Sequence, residues 1–180
     1  MNRRARFPLR QGNLDFLCST YAAINAMHHR GEITELDQAA IPFRLAINHM
    51  QAHKDWDLAG NICFGHDEQD YPELLRVLSW RDWHEPVKDP TMNDLRAVFQ
   101  QNTDTCALIS LVAPDSVGRP CDQREALHYT VMTGVDETGI RLADSLGVTD
   151  LPREGKGWLY APAGHAPQQV AVGCLYAMGW

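Results

Sequence analysis

The sequence predicts an α+β fold in which an N-terminal helical lobe packs on a C-terminal antiparallel β-sheet. Apolar residues of the first half recur at helical spacing, whereas beyond about residue 104 aliphatic and β-branched runs alternate with turn signals. No internal repeat, low-complexity tract or long linker divides the 180 residues. We therefore expect one domain over 1–180, with the helical lobe at about 12–103 and the β lobe at about 104–180. A cleft between the lobes is the expected place for a site.

The first predicted helix covers about 18–29, in the stretch LCSTYAAINAMHH. Its apolar residues recur at helical spacing after GNLD, and either Asn13 or Asp15 is available as the N-cap. Arg30-Gly31 is expected to end it, because glycine adopts the backbone conformation that often follows a helix. Cys18 is therefore expected in the first turn of this helix.

Three further segments of the first half are predicted to be helical. TELDQAAIPFRLAINHMQAH gives one or two helices, because Pro42 either opens a second helix or kinks the first. DYPELLRVLSWRDW gives an amphipathic helix, and DPTMNDLRAVFQQN gives another with Thr91 or Asn93 as its cap.

The β lobe is predicted from four strand-like runs, which are CALISLVA, HYTVMTGVD, IRLADS and QVAVGCLYAMGW. Glu137-Thr138-Gly139 separates the second run from the third, and this short polar segment with glycine predicts a hairpin. His128 opens the first strand of the hairpin and Asp144 ends the second. Strands joined by a tight turn run antiparallel, so these two residues are predicted to be neighbours.

The composition limits the classes of partner and the cellular location that we expect for the protein. A net charge of −7 opposes general affinity for nucleic acid or anionic membranes, although MNRRARFPLR concentrates four arginines. Neither a secretory signal nor a run of about 18 apolar residues is present, so we expect no membrane association. Five widely spaced cysteines without a CxxC pair indicate a reducing cytoplasm, and delivery by a specialised secretion system is compatible with the sequence. Oligomeric state is left open.

Cys18 is the candidate nucleophile. A thiol at a helix N-terminus is exposed to unpaired N–H groups and to the positive end of the helix dipole, both of which favour the thiolate. Gln11 precedes Cys18 by seven residues. Its side-chain amide is therefore close enough along the loop to donate a hydrogen bond, together with the Cys18 N–H, to an oxyanion formed during attack on a carbonyl. His128 and Asp144 supply the base and the carboxylate that orients it. The competing interpretation is that Cys18 is a small core residue.

These residues carry a family resemblance. The spacing Q-x6-C followed by YAxxNA, the strand HYTVMTGVD and the segment ADS resemble papain-like cysteine peptidases, most closely the bacterial double-glycine leader peptidases that process bacteriocins. The resemblance covers about residues 8–30 and 105–148. It implies a papain-like fold, with Cys18 as nucleophile, His128 as general base and later acid, Asp144 as the orienting residue and Gln11 as the oxyanion-hole donor.

The chain departs from that family pattern at three points. Ser19 stands where the family usually has glycine, the glutamine lies seven residues before the cysteine where six is usual, and DS replaces the common DP after the second strand. The extra loop residue leaves Asn13 as an alternative to Gln11 in the oxyanion hole.

The leading functional hypothesis is a cysteine peptidase or amidohydrolase that needs neither cofactor nor metal and acts on a peptide or protein. Within this class, a toxin-like effector that hydrolyses cell-wall peptide or deamidates protein glutamine is the alternative to a processing protease. A non-catalytic module that kept the fold and lost turnover is the alternative from another class.

Metal-dependent hydrolysis is a third hypothesis. His49 and His53 are four residues apart on a predicted helix, but the H-E-x-x-H motif is absent and no third ligand is identified. A solvated helix face is the favoured interpretation. The stretch NICFGHDEQD is interpreted as a loop along the cleft, and no serine lies in a G-x-S-x-G context.

Overall fold

A computed structural model describes residues 8–10, 17–52, 71–78, 86–100, 106–114, 126–155 and 157–177. Its helices are α1 (Cys18–His29), α2 (Leu36–Ala52), α3 (Tyr71–Val77) and α4 (Met92–Gln100). Its strands are β1 (Val87–Lys88), β2 (Ala107–Val112), β3 (Ala126–Val135), β4 (Gly139–Ala143), β5 (Asp150–Glu154), β6 (Gly157–Tyr160) and β7 (Gln168–Ala177). No described helix has the length and apolar character needed to cross a bilayer.

Helix α1 has the predicted bounds, and its end at Arg30 with Gly31 at φ +76° confirms the predicted stop. The predicted N-cap is wrong: Leu17 occupies that position and no side chain caps the helix. This leaves the positive end of α1 directed at the region around Cys18.

The other predicted helices are present with shorter bounds. The second predicted segment forms the one helix α2, which contains Pro42 in its interior. At α4 the Thr91 cap is confirmed: the Thr91 hydroxyl accepts from the Asp94 N–H at 3.3 Å, while the Asp94 carboxylate accepts from the Thr91 N–H at 2.7 Å.

The papain-like prediction of a helical lobe on an open sheet is wrong, because the sheet closes on itself. All its strand pairs are antiparallel, in the order β1-β7-β2-β3-β4-β5-β6, and β7 pairs with both β2 and β6. Six strands, β2 to β7, therefore form a closed barrel to which β1 adds an extra strand. β1 lies within the segment 12–103, which was predicted to be the helical lobe.

Two strands that the sequence did not predict, β5 and β6, close the barrel. They form a hairpin through Glu154 and Gly157, with Gly155 at φ +60° in its turn. β5 then pairs with β4 and β6 with β7. β5 contains Pro152 and has only Leu151 buried, so it lacks the alternating apolar pattern of a strand.

The core has one hydrophobic cluster on each face of the sheet. The first joins α1, α2 and α3 to the sheet through buried residues that include Ala22, Tyr71, Leu108, Tyr129 and Tyr176. The second joins the opposite face to α4 through residues that include Leu95, Ile109, Met132, Ile140 and Trp158. α1 packs directly on β3, and eight of its twelve residues are buried. This packing brings the N-terminus of α1 to the strand that carries His128.

Candidate active site

The site begins with Cys18 at the first position of α1. Its side chain interacts with the His128 ring and raises the pKa of that ring, and Cys18 is 8% exposed. The cysteine belongs to the apolar cluster under α1, yet it has a polar partner and some access from outside. The arrangement combines both sequence interpretations, since the residue packs in the core and faces a histidine.

His128 and Asp144 are in contact, as the hairpin predicted. His128 Nε2 lies 2.5 Å from Asp144 Oδ1. β3 and β4 pair through Val131 and Ala143, so extending that register by one residue places Asp144 opposite Thr130, on the same side of the strand as His128. Since Nε2 is engaged by the carboxylate, Nδ1 is the ring nitrogen left for the Cys18 sulfur.

Asp144 is held by several donors at the end of β4. Its Oδ2 accepts hydrogen bonds from the Leu146 N–H at 2.9 Å, the Val148 N–H at 3.4 Å and the Tyr160 hydroxyl at 3.3 Å. Burial raises the pKa of Asp144, but the hydrogen bond and charge of His128 and the Leu146 N–H outweigh it and hold the pKa below its usual value. The group is therefore a buried carboxylate, 1% exposed, in a fixed orientation.

Tyr160 belongs to the site and was missed from the sequence. It lies on β6, donates to Asp144, and its ring centroid is 5.4 Å from that of His128 at an interplanar angle of 31°. Burial and the neighbouring Asp144 carboxylate raise the pKa of Tyr160, so the hydroxyl keeps its proton and remains a donor. No sequence signal pointed to this residue, because β6 itself was not predicted.

His128 is charged in this environment. Burial alone lowers the pKa of His128, but its hydrogen bonds to Asp144 and Cys18 and the charges of both raise it from 6.5 to about 10. The imidazolium donates through Nε2 to the carboxylate and has its second N–H directed to the sulfur. A histidine placed beside a cysteine in this way can pass a proton to and from a reacting group.

We expect the His128 ring to stay protonated from pH 6 to beyond pH 8, where an ordinary histidine has lost its proton. Nitrogen-15 NMR of the imidazole rings measures this directly, because ring nitrogens shift strongly when the proton leaves. Asp144→Asn and Cys18→Ala should each bring the titration of His128 down toward neutral pH. A ring that titrates near pH 6.5 in the wild-type protein would contradict the assigned contacts.

Gln11 and Asn13, the two candidates for the second oxyanion donor, lie outside the described residues, so this assignment stays a prediction. The chain just before them is tied to α1. The Asn25 side chain accepts from the Leu9 N–H at 2.6 Å and donates to the Leu9 carbonyl at 3.2 Å. Asn25 is 1% exposed, so this double hydrogen bond fixes the backbone two residues before Gln11.

The remaining candidates do not come together. His49 lies 3.6 Å from Glu73, while His53 and the whole of NICFGHDEQD lie outside the described residues. Within the described part of the chain no three metal-ligating side chains are grouped. Comparison with family models, with curated proteins and with solved structures found no match for this chain.

Proposed function

We propose that the protein is a cysteine hydrolase that cleaves a peptide or amide bond through an acyl-enzyme on Cys18. One observation carries the proposal: the His128 ring forms a hydrogen bond with the Asp144 carboxylate and also interacts with the side chain of Cys18, which raises the pKa of His128. Acyl transfer needs a nucleophile, a proton carrier and an orienting group, arranged in that order. The proposal rests on the chemistry of the site and not on the fold, since unrelated folds carry this arrangement.

The first half-reaction forms the acyl-enzyme. The Cys18 thiolate attacks the substrate carbonyl carbon, forming a C–S bond and placing negative charge on the oxygen, which the Cys18 N–H and the predicted donor Gln11 stabilise. His128 then gives its proton to the leaving nitrogen, and the C–N bond breaks to release an amine. Asp144 keeps the ring oriented and lowers the energy of its charged form.

Water completes the cycle. The neutral His128 ring takes a proton from a water molecule, which attacks the thioester carbon, and the C–S bond breaks to release the acid and restore the thiolate–imidazolium pair. The expected substrate is a peptide or a protein, in keeping with the resemblance to bacterial processing peptidases. Three free thiols among the described residues, Cys18, Cys106 and Cys174, suit action in the reducing cytoplasm.

Competition among the cysteines for iodoacetamide tests the proposal. At pH 7 we expect Cys18 to be alkylated at least about 100-fold faster than Cys106, because burial raises the pKa of Cys106 to about 12 and leaves only about one molecule in 10⁵ as thiolate. Intact-mass spectrometry with peptide mapping follows each cysteine separately. Replacing His128 with alanine should slow the alkylation of Cys18 and leave that of Cys106 unchanged.

Uniformly slow alkylation of all cysteines would contradict the hydrolase and would favour a binding module that has lost turnover. Fast alkylation of Cys18 that does not respond to His128→Ala would show that the helix N-terminus alone activates the thiol, and would remove His128 from the mechanism. Arg153→Ala, an exposed change on β5 remote from the sulfur in sequence, serves as the matched control.

A further inference from the structure

The orientation of the Asp144 carboxylate depends on a short loop, residues 144–148, that follows β4. In this loop the Gly147 N–H donates to the Asp144 carbonyl at 3.2 Å. The N–H groups of Leu146 and Val148 donate to the carboxylate itself, at 2.9 and 3.4 Å. Gly147 has φ +87°, a conformation that a residue with a Cβ atom adopts only with strain. A contact that fixes the backbone at Gly147 therefore also restricts the carboxylate.

The guanidinium group of Arg10 supplies such a contact. It packs so closely on Gly147 that a Cβ atom added there would overlap Arg10 Nη1. A guanidinium group is planar and more weakly hydrated than an ammonium group, so it can lie against a peptide backbone without a large loss of solvation. The absence of a side chain at position 147 thus has two effects: it permits the left-handed backbone and it makes room for Arg10.

Arg10 is in turn connected to helix α1. Leu9, the residue before it, exchanges two hydrogen bonds with the buried side chain of Asn25 and packs against the cluster that contains Ile24. Both of these contacts are with residues of α1. The segment therefore connects the helix that begins at the nucleophile with the loop that holds the carboxylate.

We propose that Arg10 is a positioning residue, which holds the loop 144–148 in place relative to α1 and so keeps the Asp144 carboxylate directed at His128. Arg10 acts through the backbone at Gly147, whose conformation sets the N–H groups that hold the carboxylate. This inference deepens the proposed function, and its catalytic consequence rests on that function. The position of the loop itself can be measured in the resting protein without any substrate.

Arg10→Ala tests the contact from the side of the arginine. We expect hydrogen exchange at the Leu146 and Val148 amides, measured by NMR, to become about two- to fivefold faster, because a packing contact that opposes local opening is lost. Arg141→Ala is the matched control: the Arg141 guanidinium group packs on Gly134 in the same way, between β3 and β4. It should leave the exchange of the two loop amides unchanged.

The titration of the His128 ring separates a positioning role from a merely structural one. A less firmly directed Asp144 makes the ring a weaker base, so Arg10→Ala should lower the proton affinity of His128 by about two- to fivefold, read by nitrogen-15 NMR as a lower pH midpoint. Arg141→Ala should leave that midpoint where it is. Faster amide exchange with an unchanged His128 titration would make the contact structural only and overturns the inference, as does no change in either.

Gly147→Ala tests the same contact from the side of the loop. The added methyl group both strains the backbone and displaces the guanidinium group, whereas Gly164→Ala, at φ +83° with open space around it, measures strain alone. Gly147→Ala should lower the His128 midpoint and Gly164→Ala should not. The double variant with Arg10→Ala should be no lower than Gly147→Ala, because both changes remove one contact. Additive effects of the two changes would contradict the proposal.

Failure of this inference and failure of the hydrolase give different results. Slow alkylation of Cys18 in the wild-type protein, together with the expected effects of Arg10→Ala on the loop amides and on His128, would remove the hydrolase and leave the positioning role. Fast, His128-dependent alkylation of Cys18 with no effect of Arg10→Ala on either NMR measurement would do the reverse.

Discussion

Cys18→Ala is expected to lower the hydrolysis of any peptide or amide substrate by roughly 10⁴- to 10⁶-fold, to the residual rate that substrate binding and the oxyanion hole support without a nucleophile. The C–S bond of the acyl-enzyme has no other atom to form on, because the nearest alternative nucleophile at the N-terminus of α1 is Ser19, which is fully buried. A panel of unstructured peptides, proteins carrying a conjugated tag, cell-wall muropeptides and glutamine-rich proteins should be assayed with both forms. The class that only the wild type converts identifies the substrate.

His128→Ala should cost nearly as much as Cys18→Ala, and the double variant should be no worse than either single one. The two residues act as one unit, so removing either removes the thiolate and the proton donor together. Cys106→Ala, which removes a buried thiol that donates to the Ala26 carbonyl at 3.9 Å, is the matched control and should retain turnover. Activity that survives Cys18→Ala but is lost to a chelator would transfer the chemistry to a metal site.

The part of this site that the sequence predicts is the part built from short-range signals. Asp136 accepts from Thr138 and Gly139 in the turn between β3 and β4, and this local chemistry fixes the hairpin that sets Asp144 beside His128. The start of α1 at Cys18 is equally local. The approach of Cys18 to the His128–Asp144 pair depends on the packing of α1 across β3. The pattern of small and apolar residues in YAAINA allows this packing but does not specify it.

There is a physical reason why the closure of the sheet could not be predicted from the sequence. β6, which pairs with β7 through Trp158 and Val170, has only four residues and shows no alternation of buried and exposed positions. β5 is polar and contains Pro152, so its conformation is decided by the hydrogen bonds of its neighbours and not by its side chains. Tyr160 reaches Asp144 only because of this closure, and a prediction without β6 therefore lacks one of the carboxylate's donors.

Asp144→Asn is expected to lower turnover by roughly 10²- to 10⁴-fold and to destabilise the fold by about 3 kcal/mol at pH 7. Asparagine keeps the volume and can still accept one of the Leu146 and Val148 amide bonds, so the change removes chiefly the charge. The buried imidazolium then has no carboxylate to pair with, and it must either remain uncompensated or release its proton. Steady-state kinetics and urea unfolding of the same samples measure both effects.

The pH dependence of stability separates this charge effect from a loss of packing. The pKa of His128 is about 10 in the folded protein against 6.5 as the ordinary value, so its contribution to the free energy of unfolding is complete below pH 6.5 and is lost as the pH rises toward 10. The lowered pKa of Asp144 acts oppositely, through a contribution present above its ordinary value of 3.8 and lost on further acidification. Wild-type stability should therefore fall between pH 6.5 and 10, and Asp144→Asn should flatten that fall.

Asp150→Asn, which changes an exposed carboxylate on β5, is the matched control and should leave the dependence of stability on pH as it is in the wild type. Parallel curves for wild type and Asp144→Asn would show that His128 is not held charged by Asp144, and the thiolate–imidazolium pair would lose its support.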